Sequence, residues 1–263
     1  MEINRQTEIL IQANNNLKIL FPDRHKTIVF NDVNMVYNRN VLGISADFKT
    51  RKGTKYGYLT GIMYLAPYKL SGLNMCPMAS KGCAVACLFS AGRGKMYFVT
   101  RARVVKTLAY HFNETRFIDT IKESIRQLIV KAKNKNMTPV VRLNGTSDIL
   151  WERRTDILQS FPNIQFYDYT KIAQRFRFSI PSNYHLTFSL SESNQSDAVY
   201  AVSRGINVAA VFREKLPKKL FNRRVVNGDD TDLRFLDRHG VIIGLKAKGK
   251  AKKDKSGFVK DVQ

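Results

Sequence analysis

The chain has 263 residues, 44% of them hydrophobic and with 16 Phe and 11 Tyr, which supplies a core and excludes a disordered protein. Its formal net charge of +23 makes a field that draws polyanions, nucleic acid being the commonest, or a phosphate-bearing substrate. No apolar run approaches the ~20 residues of a spanning helix and MEINRQTEILIQANNN lacks an apolar signal core, so a protein of a reducing cytoplasm with no membrane partner is expected.

Helical spacing appears first in Glu2–Leu20, where Ile9, Leu10, Leu17 and Leu20 recur, and this segment is expected to cap the body. Residues 27–30 and 41–48 read as short strands of the same cap, and 58–65 as a stronger strand. A helix is expected over about 96–112. A second over 115–134 would place Ile118, Ile121, Ile125, Leu128 and Ile129 on one face. Pro139 opens the strand PVVRL, and Asp148 begins a helix through Phe161. Further strands are expected at 164–169, 185–190, 207–212 and 240–245. The C-terminal GLKAKGKAKKDKSG reads as a mobile basic tail. Without residues 246–263, which hold seven Lys and two Asp, the charge is still +18, so the body itself is basic.

Six apolar runs from residue 58 onward, the middle ones starting 21 to 25 residues apart, have the spacing of βα units with strands buried on both faces. The fold expected is α/β, a partial (βα)6 TIM-like barrel, with an open doubly wound sheet as the alternative. Its parts would be an N-terminal cap at 1–57, the barrel-like domain at 58–249 and the basic tail at 250–263.

In such folds chemistry collects where strands end. Here those ends carry Asn144, Ser147 and Asp148, then Asp168 to Lys171, then Ser191, Glu192 and Asn194, with Asp229, Asp230 and Asp232 before the last strand. Asp148 and Asn194 equally suit helix N-caps, and Asn227-Gly228-Asp229-Asp230 suits a turn. Asp168, between Tyr167 and Tyr169 at the end of an apolar strand, is the carboxylate that most needs a partner. Gly92-Arg93-Gly94-Lys95 before a helix is a weak anion-binding candidate and not a P-loop.

All three cysteines, Cys76, Cys83 and Cys87, fall in NMCPMASKGCAVACLFSAGRG. An odd number excludes complete disulfide pairing, and clustered thiols in a reducing compartment read as metal ligands. The spacing C-x6-C-x3-C lacks the C-x2-C pairs of structural zinc modules and suits a 4Fe-4S cluster with one iron open. Zinc held by three thiolates and inert packing are the alternatives.

NMCPMASKGCAVACLFSAGRG, VVRLNGTSDILW, FPNIQFYDYTK, HLTFSLSESNQ, VVNGDDTDLRFLD and GVIIGLKAKGKA together resemble the bacteriophage gene product 88 family, over about residues 70 to 250. That resemblance implies a phage protein working in the host cytoplasm. More distantly, a cysteine loop after the first strand of a six-unit barrel resembles radical S-adenosylmethionine enzymes. This second resemblance implies that Cys76, Cys83 and Cys87 hold a 4Fe-4S cluster whose open iron binds S-adenosylmethionine. Asn144, Ser147, Ser191 and Arg93 would then contact cofactor, and Asp148, Asp168 and Glu192 would serve catalysis on nucleic acid or a nucleotide-like substrate. The sequence departs from the usual C-x3-C-x2-C spacing, and Ala86 stands where an aromatic residue precedes the last cysteine. A metal-dependent nuclease or replication-initiation factor using Asp148, Asp168, Glu192 and Asp230, and a non-catalytic nucleic-acid-binding protein, are the other functions the residues allow.

Overall fold

The computed structural model describes residues 2–24, 26–44 and 48–262. Helix α1 (Glu2–Leu20) is followed by α2 (Phe30–Asn34), strand β1 (Leu42–Ile44), α3 (Phe48–Lys52) and β2 (Tyr58–Met63). Then come α4 (Lys81–Val85), α5 (Tyr97–Phe112), α6 (Glu114–Lys133) and β3 (Thr138–Arg142). Two short helices, α7 (Trp151–Arg154) and α8 (Ile157–Ser160), lead to β4 (Gln165–Thr170) and β5 (Tyr184–Ser189). After α9 (Gln195–Ser203) the chain adds β6 (Val208–Phe212), β7 (Lys219–Leu220), β8 (Arg223–Asn227), β9 (Ile242–Lys246) and β10 (Val259–Lys260). None of the described helices is long and apolar enough to cross a membrane.

The six expected strands stand as β2, β3, β4, β5, β6 and β9, parallel neighbours in that order. The order does not reverse between β2 and β6, so no doubly wound switch point lies among those strands; beyond them β9 inserts between β6 and β8. The sheet stays open among the described residues: antiparallel β1 ends it beside β2, and β8 and β7 end it beyond β9. What stands is thus a mixed α/β fold on one open sheet, and no closed barrel.

The apolar runs are buried on both faces, as parallel strands require. On one face Leu59, Met63, Val141, Leu143, Phe166 and Leu186 share a core with Val104 and Leu108 of α5, Ile121 and Leu128 of α6, Trp151 of α7 and Leu158 of α8. Farther along, Phe188, Val208, Ala210, Phe212 and Ile242 pack under α9. Helix α6 earns its place by pattern: Phe117, Ile121, Ile125, Leu128 and Ala132 are buried at helical spacing. Asn113 caps it by accepting from the Arg116 N–H at 3.0 Å. The other face is covered without a long helix. Leu233 sits on Val140 and Tyr167, while Tyr169 and Val226 pack with Ala209, Val241 and Ile243.

Several expectations need correction. Residues 27–30 form no strand. The Asn14 side chain bonds both the N–H and the carbonyl of Ile28, at 2.7 and 3.0 Å, satisfying the backbone that a partner strand would have served. Phe30 then opens α2, where Asp32 accepts from the Val29 N–H at 3.0 Å. Of 41–48, only Leu42–Ile44 is strand; Ser45, Ala46 and Asp47 lie outside the described residues, and Phe48 starts α3. No single helix spans 148–161, because Thr155 is extended between α7 and α8. The C-terminal segment is threaded back into the fold: β10 pairs in parallel with β6 and Val259 is buried.

Candidate functional site

The loops that leave the C-terminal ends of β2, β3, β4 and β5 meet at the cysteines. Cys76 follows β2, and its thiol donates to the Thr146 carbonyl of the β3 loop at 3.4 Å. The Asp148 N–H ties the same loop to the Met75 carbonyl at 2.9 Å. Cys83 lies in α4, where the N-cap Ser80 Oγ accepts from the Cys83 N–H at 3.2 Å. Glu192, from the β5 loop, accepts from Ser80 Oγ and from the Gly82 N–H, each at 2.7 Å. Cys87 follows α4, its carbonyl bonded by the Ser90 N–H and O–H at 3.0 and 2.8 Å. All three are half-buried free thiols.

Their electrostatics show that they are neighbours. Burial pushes the Cys76 thiol up to about 12, and the nearby Cys87, Asp148 and Cys83 add to the rise. Cys87 is also pushed up, chiefly by burial and then by Cys83, against the pull of Lys171 and Arg103. Burial disfavours the Lys171 ammonium, yet Cys83, Asp148 and Cys76 outweigh it and hold its pKa above the ordinary lysine value. Lys171 thus acts on all three thiols, and Arg103 adds a second cation beside Cys87. Three thiols match an iron–sulfur cluster or thiolate zinc site in donor type and number. Their present spacing is looser: among the described residues no three His, Cys, Asp or Glu side chains stand together as metal ligands.

The other predicted residues divide by role. Asp148 accepts from the Lys171 N–H at 2.8 Å and from Arg175 Nη1 at 3.3 Å, so it joins the cysteine rim and caps no helix. Burial raises its pKa against those partners. Asp168 is fully buried, accepting from the Asn144 N–H and the Tyr184 O–H at 2.8 Å each, with Arg142 Nε at 3.8 Å. Burial pushes it up to about 7, against those donors. Asn144 is a buried hub whose Oδ1 accepts from Ser147 Oγ, the Ile149 N–H and Trp151 Nε1. Asn144 and Ser147 therefore hold the β3 loop together. Asn194 stands at the N-cap position of α9, as expected, its carbonyl accepting from the Ala198 N–H at 3.0 Å, but its side chain turns back to take the Ser191 N–H at 2.7 Å and makes no capping bond. Arg93 is exposed, and the N–H groups of Gly94 and Met96 in its turn bond the carbonyls of Ala91 and Arg93, so no anion cradle is displayed there. Asp230 accepts from Asn227 Nδ2 at 2.7 Å within its turn, whereas Asp232 is drawn inward to Arg142 Nη1 at 3.0 Å.

Two arginines carry more of the site than sequence reasoning saw. Arg175, fully buried, forks onto Glu152 at 2.9 and 2.7 Å and reaches Asp148 and the Tyr184 hydroxyl. Arg142 bridges Asp232 and Asp168 and lies over the Tyr169 ring at 4.8 Å. A charge inside the apolar run VVRL was the available signal for Arg142; nothing local marks Arg175.

A family model described as Gene product 88 matches residues 40–262. No curated protein and no solved structure matches, and these comparisons lend no support to a relationship with radical S-adenosylmethionine enzymes.

Proposed function

From the premise that this chain belongs to the Gene product 88 family, we propose that it is an iron–sulfur enzyme of radical-S-adenosylmethionine type, working in the host cytoplasm on nucleic acid or a nucleotide-like substrate. Cys76, Cys83 and Cys87 would hold a 4Fe-4S cluster, and the open sheet in sequential order is read as a partial barrel. The observation that carries this reading is that the loops bearing the cysteines, Asp148 and Lys171 are tied together where parallel strands end, Cys76 onto the Thr146 carbonyl, Glu192 onto the start of α4 and Asp148 onto the Lys171 N–H. When bound, such a cluster supplies one-electron chemistry, and its open iron would take S-adenosylmethionine.

The chain's own residues prepare that chemistry. Glu192 fixes the start of α4 and so the direction of Cys83. Lys171 offsets thiolate charge that burial otherwise disfavours. Arg175 anchors Asp148, which in turn holds the Lys171 backbone. The carboxylates named for a nuclease, Asp148, Asp168, Glu192 and Asp230, already accept from protein donors, so they do not favour that reading.

The test is an absorption spectrum with iron, sulfide and zinc analysis on protein purified without oxygen. Broad absorbance near ~400 nm with about four irons per chain is expected, lost in Cys83→Ser with folding unchanged by circular dichroism. Zinc, or no metal at all, overturns the reading and leaves binding without redox chemistry.

A further inference from the structure

Between α4 and the C-terminal segment runs a groove of about 460 Å³. Lys81 and Val85 line it from α4, and Lys250, Lys253 and Lys255 line it from the other side. All four lysines are exposed, and among the described residues none of them forms an ion pair. The groove's lining leaves out Cys83, which is turned to Lys171.

The walls are built into the fold. They touch at Gly82, where an added Cβ would stand 2.0 Å from Ser256 Oγ and 2.9 Å from Phe258 Cβ, so only glycine lets them close. Asp254, the acidic residue in the lining, accepts from the Ser256 N–H and O–H at 3.3 and 2.7 Å and from the Val259 N–H at 2.9 Å. Its charge is spent on holding the turn, and the lysines set the sign of the groove.

We propose that this groove is the track for a nucleic-acid single strand, its phosphates held by Lys81, Lys250, Lys253 and Lys255 and its sugars and bases resting on Val85. Lysines fit phosphates as point charges, and Val85, 68% exposed, supplies an apolar contact that a purely ionic surface lacks. The volume is that of a small-molecule cavity, which a single flexible backbone can enter. A duplex, with phosphates splayed across grooves about 6 and 12 Å wide, would present only one edge to it. The inference rests on the preceding reading only for what the strand is delivered to, since the same helix carries Cys83.

The experiment is fluorescence anisotropy of labelled DNA and RNA single strands and the matching duplex, over a salt series, with iron content measured on the same preparations. The variant K81Q/K250Q/K253Q/K255Q is compared with K131Q/K133Q/K135Q, which removes charge from the end of α6. At ~0.7 per phosphate contact, the slope of log affinity against log salt should be shallower by about 3 in the groove variant and unchanged in the control. Equal loss in both, loss in neither, or tighter duplex binding with the same lysine dependence overturns the track. A shallower slope in iron-free protein keeps the track and removes the cluster; intact iron with an unchanged slope does the reverse. A difference between the two single strands assigns the sugar.

Discussion

Asp168 and His185 are single groups whose ionisation sets opposite pH dependences on the same sheet. Burial pushes Asp168 from 3.8 up to about 7. Between those values the folded protein holds a proton that the unfolded chain has released. Its stability therefore falls as pH rises through that window, by up to about 1.4 kcal/mol per pH unit. Burial, reinforced by His239 and Arg234, lowers His185 from 6.5 to about 4. There the unfolded chain holds the extra proton, so stability falls as pH drops through 6.5 toward 4. The two slopes oppose each other, and wild-type data alone would hide both. Asp168→Asn removes only the first and keeps an acceptor for the Asn144 N–H. The wild-type advantage over this variant in urea unfolding should shrink as pH is raised from about 4 to 7. An advantage constant across that range would mean that Arg142 keeps Asp168 ionised throughout.

At the scale of elements, α4 is too short to hold itself, and its direction comes from Glu192 on a different loop. Glu192→Ala leaves the Gly82 N–H and the Ser80 hydroxyl without their acceptor, at a cost of about 1–3 kcal/mol. Thiol labelling of Cys83 should then accelerate at least tenfold, while Glu192→Gln, which keeps one acceptor, should fall between. Unchanged labelling in the alanine variant would show that α4 is held by other contacts. The same contrast explains what could be read in advance. Strands β2 to β6 and β9 were legible because a strand buried on both faces must be a continuous apolar run. The segment at 27–30 has that character too, but an asparagine 14 positions earlier took its hydrogen bonds. The cysteines were legible as a group, and Lys171 was visible only as one polar strand end among several. Arg175 was not legible, since Asp148 and Glu152 lie 27 and 23 residues before it, and only the fold brings them together.

For the whole molecule, the question is whether the last residues belong to the fold or only to its charge. Composition alone makes 250–263 a tail. Three observations make it a wall. Val259 and Ala251 are buried with Ala86 and Ala247, so the segment shares a small core with the end of α4 and the end of β9. Strand β10 extends β6 where β5 no longer pairs with it: β5 registers with residues 208 and 209, β10 with 211 and 212. Arg213 locks the return by donating to the carbonyls of Lys252 and Asp254 and to the Asp261 carboxylate. Removing 250–263 therefore exposes apolar surface and strips a buried edge of its partner. A loss of about 2–4 kcal/mol in unfolding free energy is expected, from one buried Val and two or three hydrogen bonds. Charge is separated from structure by K252Q/K253Q/K255Q, which alters only exposed side chains and should stay within about 0.5 kcal/mol of wild type. If truncation is as harmless as that triple variant, the segment is a tail after all, and the groove it walls has no fixed shape. If truncation costs stability while the triple variant does not, the C-terminus is part of the architecture that presents the cysteine rim.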